Sequence, residues 1–377
     1  MKMTCEKAAL EKALGLAARA AAAKSVVPIL ECVLLTAGDG GARLYATDSQ
    51  ISLETARFRA DVEEAGSVAL DARTFADMVR TLRGDSVSVS VDGRHRAAIR
   101  GDRTSSEMPG LAGEGFPTLD EGEFAPGAQG LAGPFRLGAA ALKDMVRQTI
   151  FSVSHDHTKP VLTGELMEIR DGLLRMVAID MFRISYRAEA VAGPRGAECR
   201  AVVPAKALGE LMRALGGEDG AEVEFSFGKE KAAFATDDFR LYANLLSGEF
   251  IKYEQIFNDD FSTKATVARE EFLGSCDRVL KLGDGKPLTM RLSVAGGELA
   301  VRCQTDRALV DDAVPCEREG AELEIYFNPR YFSEALRALD SERVELRFNS
   351  VLSPATVGAE GGGPNQRYLI VPLRPPS

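Results

Sequence analysis

The chain has no tryptophan and only three histidines, His95, His155 and His157. That shortage leaves little material for histidine-based acid–base chemistry or a histidine-rich metal centre. His155-Asp156-His157 offers two ligands, but no cysteine or further histidine stands at a matching spacing. A surface loop is the better reading, and no metal or cofactor is expected. The six cysteines, Cys5, Cys32, Cys199, Cys276, Cys303 and Cys316, form no CxxC and no paired spacing, which points to reduced thiols. No apolar run approaches the ~18 residues of a membrane span. GLAARAAAAKS (15–25) has the small-residue look of a leader, but Glu6, Lys7, Glu11, Lys12 and Arg19 break up any apolar stretch. An amphipathic helix is expected there, in a soluble, cytoplasmic protein with no membrane partner. GDGKP (283–287) lacks the earlier glycine and following Ser or Thr of a phosphate loop, so it reads as a turn. GxSxG and HExxH are absent too, so no catalytic residue is assigned and the chain is read as no enzyme. Positive charge is also in deficit. Lys and Arg number 46 against 56 Asp and Glu, a net −10, which at first sight disfavours a nucleic-acid partner. That sum says nothing about where the bases sit.

What the sequence does contain is a threefold repeat. ALDARTFADMVRTL (69–82), VVPAKALGELMRAL (202–215) and YFNPRYFSEALRAL (326–339) each begin as a strand, turn, and continue as a helix. Apolar residues fall at i, i+3, i+4 and i+7: Phe75, Met78, Val79, Leu82; Leu208, Leu211, Met212, Leu215; Phe332, Ala335, Leu336, Leu339. The closing leucines stand 133 and 124 residues apart. Helix-compatible segments at 8–17, 140–149 and 271–280 precede them, with Leu10, Leu142 and Leu273 in equivalent places. Asp48, Asp180 and Asp306, each following a strand, form a further landmark in the same order. A period this long signals repeated whole domains rather than a solenoid. Alternating strands such as SVSVSVDG (86–93), AEVEFSFG (221–228) and RVELRFNS (343–350) complete each copy. The expected class is α+β, with two helices packed on antiparallel sheet in each copy. The Gly- and Pro-rich stretch 109–134 reads as a linker, and GAEGGGPN (358–365) as a hairpin loop. Domains are therefore expected at 1–130, 131–257 and 258–377.

The helix positions that are not apolar carry the functional signal. Arg73, Lys206 and Arg330 stand nine residues before the closing leucines, and Arg80, Arg213 and Arg337 stand two before. All six are basic in a chain with excess acid. Seven residues apart, the two sites share a helix face away from the apolar stripe. A solvated charged face is the plain alternative; recurrence at equivalent positions favours a shared task. Lys143, Arg147, Arg278 and Lys281 on the earlier helices fit the pattern, whereas Glu11 does not. Bases on helices without an aromatic platform suit phosphate contacts that are sequence-independent and salt-sensitive.

VVPIL (26–30), ATD (46–48), FPTL (116–119), VVPAKALGELMRAL and the ending YLIVPLR (368–374), in this order along a threefold repeat, resemble the bacterial DNA polymerase sliding clamp, the beta subunit of the replicative polymerase. The resemblance spans essentially the whole chain. It implies three clamp domains joined head to tail with a second copy into a ring around double-stranded DNA. The implied task is to serve as a processivity factor, tethering the replicative DNA polymerase and other replication and repair proteins, with a clamp loader to open the ring. A clamp-like paralogue acting as a non-processive scaffold or regulator is the alternative, and an enzyme built on scattered carboxylates a more remote one. On this resemblance Lys24, His155 and Lys159 join the basic helix positions as DNA contacts.

The resemblance also implies a partner-peptide pocket. Its expected wall is Leu162, Ile179, Phe182, Arg183, Ile184, Ile251 and Ile256, completed by Asn328, Tyr331, Val351, Ser353, Leu369, Val371, Pro372, Leu373 and Arg374. The plain alternative makes many of these ordinary core. Family members commonly have Gly-His-Arg where this chain has Met181-Phe182-Arg183, and proline at the place of Ile251, so an altered pocket shape is expected. The loop at 155–161 lacks the aromatics often found there, and Pro375-Pro376-Ser377 runs past the usual end. A homodimer interface is expected between Thr104–Met108 and the helix at Val279 and Leu280. The polar character of GDRTSSEMP (101–109) predicts weaker dimerisation than is usual.

Overall fold

A computed structural model describes residues 1–374 apart from 120, 121, 126, 217–219, 258–259 and 284–286. The expected boundary at 258, the centre of the 283–287 turn and the terminal 375–377 lie outside the described residues. Six α-helices occur among the described residues: α1 Lys7–Ala17, α2 Ala72–Thr81, α3 Ala139–Thr149, α4 Ala205–Ala214, α5 Arg269–Leu280 and α6 Pro329–Ala338. They alternate with strands in the order expected from the repeat.

The helix starts follow from local chemistry. Asp71 caps α2, its carboxylate accepting from the Thr74 N–H at 2.8 Å. Asn328 caps α6 by accepting from the Arg330 N–H at 3.0 Å, and Pro329 occupies the first turn, where its missing N–H costs nothing. The apolar stripes then face inward. Phe75, Val79, Leu208, Leu211, Phe332, Leu336 and the three closing leucines are buried, while Met78 and Met212 are half-exposed at the margins. The GLAARAAAAKS reading is corrected here: α1 ends at Ala17, and turns follow. A strand at Lys2–Glu6 precedes α1 and was not expected. The proposed linker 109–134 also begins and ends in sheet, within strands Ser105–Ala112 and Ala132–Gly138.

The chain forms two compact units. The first comprises Met1–Ala140, Ala192–Ala197 and Gly209–Leu245; the second comprises Ala141–Val191, Glu198–Leu208 and Leu246–Ser377. Each contains one antiparallel sheet, of 13 described strands in the first and 12 in the second. The middle repeat contributes to both. In the first unit its strand Phe239–Asn244 pairs with Ile51–Thr55, Leu241 lying opposite Leu53. In the second its strand Arg183–Ala190 pairs with Gln366–Ile370, Ile184 lying opposite Leu369. Strand ends that would otherwise be open edges are thereby satisfied by main-chain bonding. The second unit's largest core joins Phe272, Phe327, Phe332 and Phe348 beneath α5 and α6.

Candidate functional site

The basic helix positions lie on the side their spacing predicts. Arg73, Arg80, Lys206, Arg213, Arg330 and Arg337 are all exposed, and Lys143 and Arg147 are half-buried. Lys24, His155 and Lys159 are exposed in loops. Five of the arginines are not bare, however. Arg80 Nη2 lies 2.7 Å from Asp77, Arg147 Nε 3.2 Å from Asp144, and Arg213 Nη2 2.6 Å from Glu210, each pair three residues apart on one helix. Arg147 also reaches Asp340 at 2.9 Å. Arg330 pairs with Glu334 at 2.8 Å, and Arg337 with Asp277 of α5 at 2.6 Å. Arg278 is held by Asp312. Bonding to Glu210 raises the pKa of Arg213, and bonding to Glu334 raises that of Arg330. At Arg147 burial pulls the other way, but the bonds to Asp340 and Asp144 leave its pKa raised.

The expected pocket residues all fall in the second unit, but they divide into two kinds. Leu162, Ile179, Ile184 and Leu369 are buried with Phe250 and Tyr253 in one apolar cluster, against which Ile251 and Val371 are half-buried. The apolar residues that reach the surface are Phe182, Ile256 and Val351, together with Met181 and a neighbour not anticipated, Leu352. Asn328 caps α6, Leu373 donates its N–H to the Tyr326 carbonyl at 2.7 Å, and the Ser353 hydroxyl sits 2.8 Å from that of Ser350. Pro372 is half-buried and Arg374 exposed.

Arg183 was expected in the pocket wall, and the structure gives it a different place. Its side chain is buried, with Nε donating to Asp180 at 2.8 Å and the terminal nitrogens donating to Glu334 and the Phe151 carbonyl. Its guanidinium lies 4.6 Å from the centre of the Tyr331 ring and 5.4 Å from that of Phe151. Arg183 therefore ties the turn at 180–183 to α6 rather than facing solvent. Asp180 Oδ1 accepts from the N–H groups of Phe182 and Arg183 at 3.1 Å each, closing that turn. Met181 pays for the turn's shape with a left-handed φ of 75°, a conformation that suits glycine far better. The turn presents Phe182, whose ring stacks on Tyr331 with centroids 6.3 Å apart and planes 16° from parallel. Glu334 joins this turn to the helix face, since it also accepts from Arg330.

The dimer-interface expectation changes in detail. Met108 and Val279 are buried inside their own units and cannot present side chains; Thr104 and Leu280 are half-exposed. The strand Ser105–Ala112 pairs with Arg96–Arg100 over 105–109 and with Gly66–Asp71 over 110–112. The strand Leu309–Gly320 is divided likewise, pairing with Glu298–Gln304 over 309–315 and with Thr263–Ala268 over 316–320. Among the described strands, each half of these two strands is therefore paired along one backbone edge only.

A repeated α+β chain with continuous antiparallel sheets and arginine-bearing helices places the molecule in the sliding-clamp class. Comparison with known proteins agrees along the whole length. The models of the DNA polymerase III beta subunit match in series: the N-terminal domain at residues 1–120, the central domain at 136–252 and the C-terminal domain at 254–374. The beta sliding clamp of Synechococcus elongatus is 30% identical over 383 residues, covering 99% of both chains. That of Bacillus subtilis is 26% identical over 389 residues, covering 99% of this chain and 100% of the relative. The crystal structure of the Bacillus subtilis DNA polymerase sliding clamp superposes with a TM-score of 0.93 at 25% identity, covering 99% of each chain. The chain belongs to the DNA polymerase III beta subunit family, the beta sliding clamps.

Proposed function

We propose that this chain performs the sliding-clamp function of its family as a homodimeric ring of three clamp domains per copy, with boundaries near residues 130 and 257. Double-stranded DNA passes through the ring and meets the exposed bases of the helices, from Arg73 and Arg80 to Arg330 and Arg337. The observation that carries this is the full-length family match, together with exposure of all six equivalent basic positions. Retention comes from topology, so the phosphate contacts need no base specificity. The acidic remainder of the surface discourages DNA from binding elsewhere. The chain does no bond chemistry in this reading; it holds the replicative polymerase and other replication and repair proteins near the template, and a loader opens the ring.

Ring closure is read as meeting of the half-open edges at 105–109 and 309–315, which lie on different units and would pair head to tail between copies. Thr104 and Leu280 then flank the contact. Partner peptides are read as seating on the apolar surface of Met181, Phe182, Ile256, Val351 and Leu352, in the small-interface mode in which one or two side chains anchor the segment.

The test is the Arg80→Ala/Arg213→Ala/Arg337→Ala variant bound to a 30-base-pair duplex over a salt series. The log–log salt slope should flatten by about one for each phosphate that no longer meets an arginine. An unchanged slope and affinity with an intact fold would remove the helix faces from the DNA interface.

A further inference from the structure

The arginines of the helix faces are accompanied by acids in a way the basic stripe alone does not require. The motif Asp77-Met-Val-Arg80 in α2 recurs as Asp144-Met-Val-Arg147 in α3 and Glu210-Leu-Met-Arg213 in α4. In all three the acid and arginine are within 3.2 Å. The same spacing occurs in α6 as Glu334-Ala-Leu-Arg337, but there Glu334 is taken by Arg330 and Arg183. Arg337 is not left alone; it takes Asp277 of α5 instead, at 2.6 Å. A different carboxylate thus supplies the same pairing.

Acid–base pairs three residues apart are frequent on solvated helices. What is particular here is their register: each arginine holds the same place relative to its apolar stripe, and each has a carboxylate. Stability does not account for the arrangement in α2, because a pair as exposed as Arg80–Asp77 contributes little to it. The Arg80 side chain is 73% exposed and that of Arg213 53%. A guanidinium makes similar charge-assisted hydrogen bonds to carboxylate and to phosphate. A phosphate approaching such an arginine therefore replaces one anion by another, and when it leaves the carboxylate takes its place again. The net gain from each contact is small, and no step leaves a bare cation behind.

Resting on the reading that these helix faces meet DNA, we propose that Asp77, Asp144 and Glu210 are a built-in brake on DNA affinity: each occupies an arginine that a phosphate must win, so the ring touches duplex DNA weakly and interchangeably while it slides. The carboxylates are then part of the DNA interface.

The experiment compares three forms of the full-length protein on a fluorescein-labelled 30-base-pair duplex, by anisotropy from 25 to 200 mM KCl. The first is wild type. The second is Asp77→Asn/Asp144→Asn/Glu210→Gln, which removes the same-helix carboxylate from Arg80, Arg147 and Arg213 and leaves Arg147 with Asp340 alone. The third is Asp61→Asn/Glu198→Gln/Glu298→Gln, which removes three exposed acids away from the helices and changes net charge equally. The brake predicts that the second form binds at least tenfold tighter at the lowest salt, with a slope steeper by about one for each arginine that gains a phosphate. The third form should move less than threefold. Equal tightening of both would overturn the proposal, because net charge alone would then be responsible. No tightening of the second form would also overturn it. In that case a flatter slope in the arginine-to-alanine variant would leave the helix-face reading standing, whereas an unaltered slope there would remove that reading as well.

Discussion

Glu165→Gln should stabilise the protein at neutral pH and make its stability less dependent on pH. Glu165 is wholly buried in the second unit, and burial pushes its pKa from 4.5 to about 8, against a smaller lowering by Thr149. Its Oε2 lies 2.6 Å from the Thr149 hydroxyl, which is also 2.7 Å from the Met145 carbonyl one helical turn back. Thr149 has one proton to give and the carbonyl can only accept. Both contacts are hydrogen bonds at once when Glu165 is protonated and donates to Thr149, which donates to Met145. The other carboxyl oxygen has no hydrogen-bond partner among the described residues, a situation far costlier for an anion than for a neutral acid. Between pH 4.5 and 8 the folded state therefore holds a proton that the unfolded state has released. Stability falls as pH rises through that window, by about 1.4 kcal/mol per unit, and levels off above the folded pKa. Glutamine has no proton to lose. The variant's advantage over wild type should grow from under about 1 kcal/mol at pH 5 to about 3 kcal/mol at pH 7. Any cost of the amide's second N–H shifts both values equally and leaves the difference intact. Urea melts followed by circular dichroism at pH 5, 6, 7 and 8 measure it. A constant gap between the two proteins across the series would refute the argument.

Arg183→Ala should lose about 3–5 kcal/mol in the same melts, because it strands Asp180 and removes a buried ion pair; a loss under about 1 kcal/mol would mean that the side chain is solvated. Phe182→Ala should change stability by less than about 1.5 kcal/mol, since its ring is half-exposed and loses chiefly the stack on Tyr331. If the peptide surface is as proposed, the same substitution weakens a fluorescent partner peptide at least tenfold, and unchanged binding would remove Phe182 from that surface. Arg80→Ala/Arg213→Ala/Arg337→Ala should flatten the salt dependence of DNA binding, while amides at Asp77, Asp144 and Glu210 should steepen it, as measured by anisotropy.

The parts of the fold legible in sequence were those set by short-range rules. Helices α2, α4 and α6 could be placed because apolar spacing and a closing leucine recur at fixed intervals. Strands at 86–91, 222–227 and 343–348 could be placed because they alternate. Lys2–Glu6 escaped notice because five residues with no flanking turn signal look like the approach to a helix. The extent of sheet in 105–134 was hidden by its glycine and proline content, since backbone pairing across the chain decides there and not local preference. Long-range pairing also explains why a threefold repeat becomes two sheets: Phe239–Asn244 and Arg183–Ala190 find their partners in other repeats, and no local pattern announces it.

The site was legible to a different depth at each level. Spacing identifies which bases share a face, because a helix makes that geometry obligatory. It says nothing about which acid each base will meet. Asp77, Asp144 and Glu210 were open to notice as acids three residues before an arginine, yet Glu334 has that same spacing and binds elsewhere, drawn to Arg183 and Arg330. Likewise Arg183 has the appearance of a wall residue in sequence and is a buried tie in the structure, because Asp180, Glu334 and two aromatic rings converge on it from separate segments. Electrostatic partners are set by tertiary distance, and so is the working charge of each helix face. A stripe of arginines counted along the chain suggests strong phosphate binding. On the proposed reading, Arg80, Arg213 and Arg337, each paired with a carboxylate, would make a surface that touches the enclosed DNA only lightly. This is the combination that sliding requires, because strong contacts would anchor the ring and bare acids would repel the duplex it surrounds.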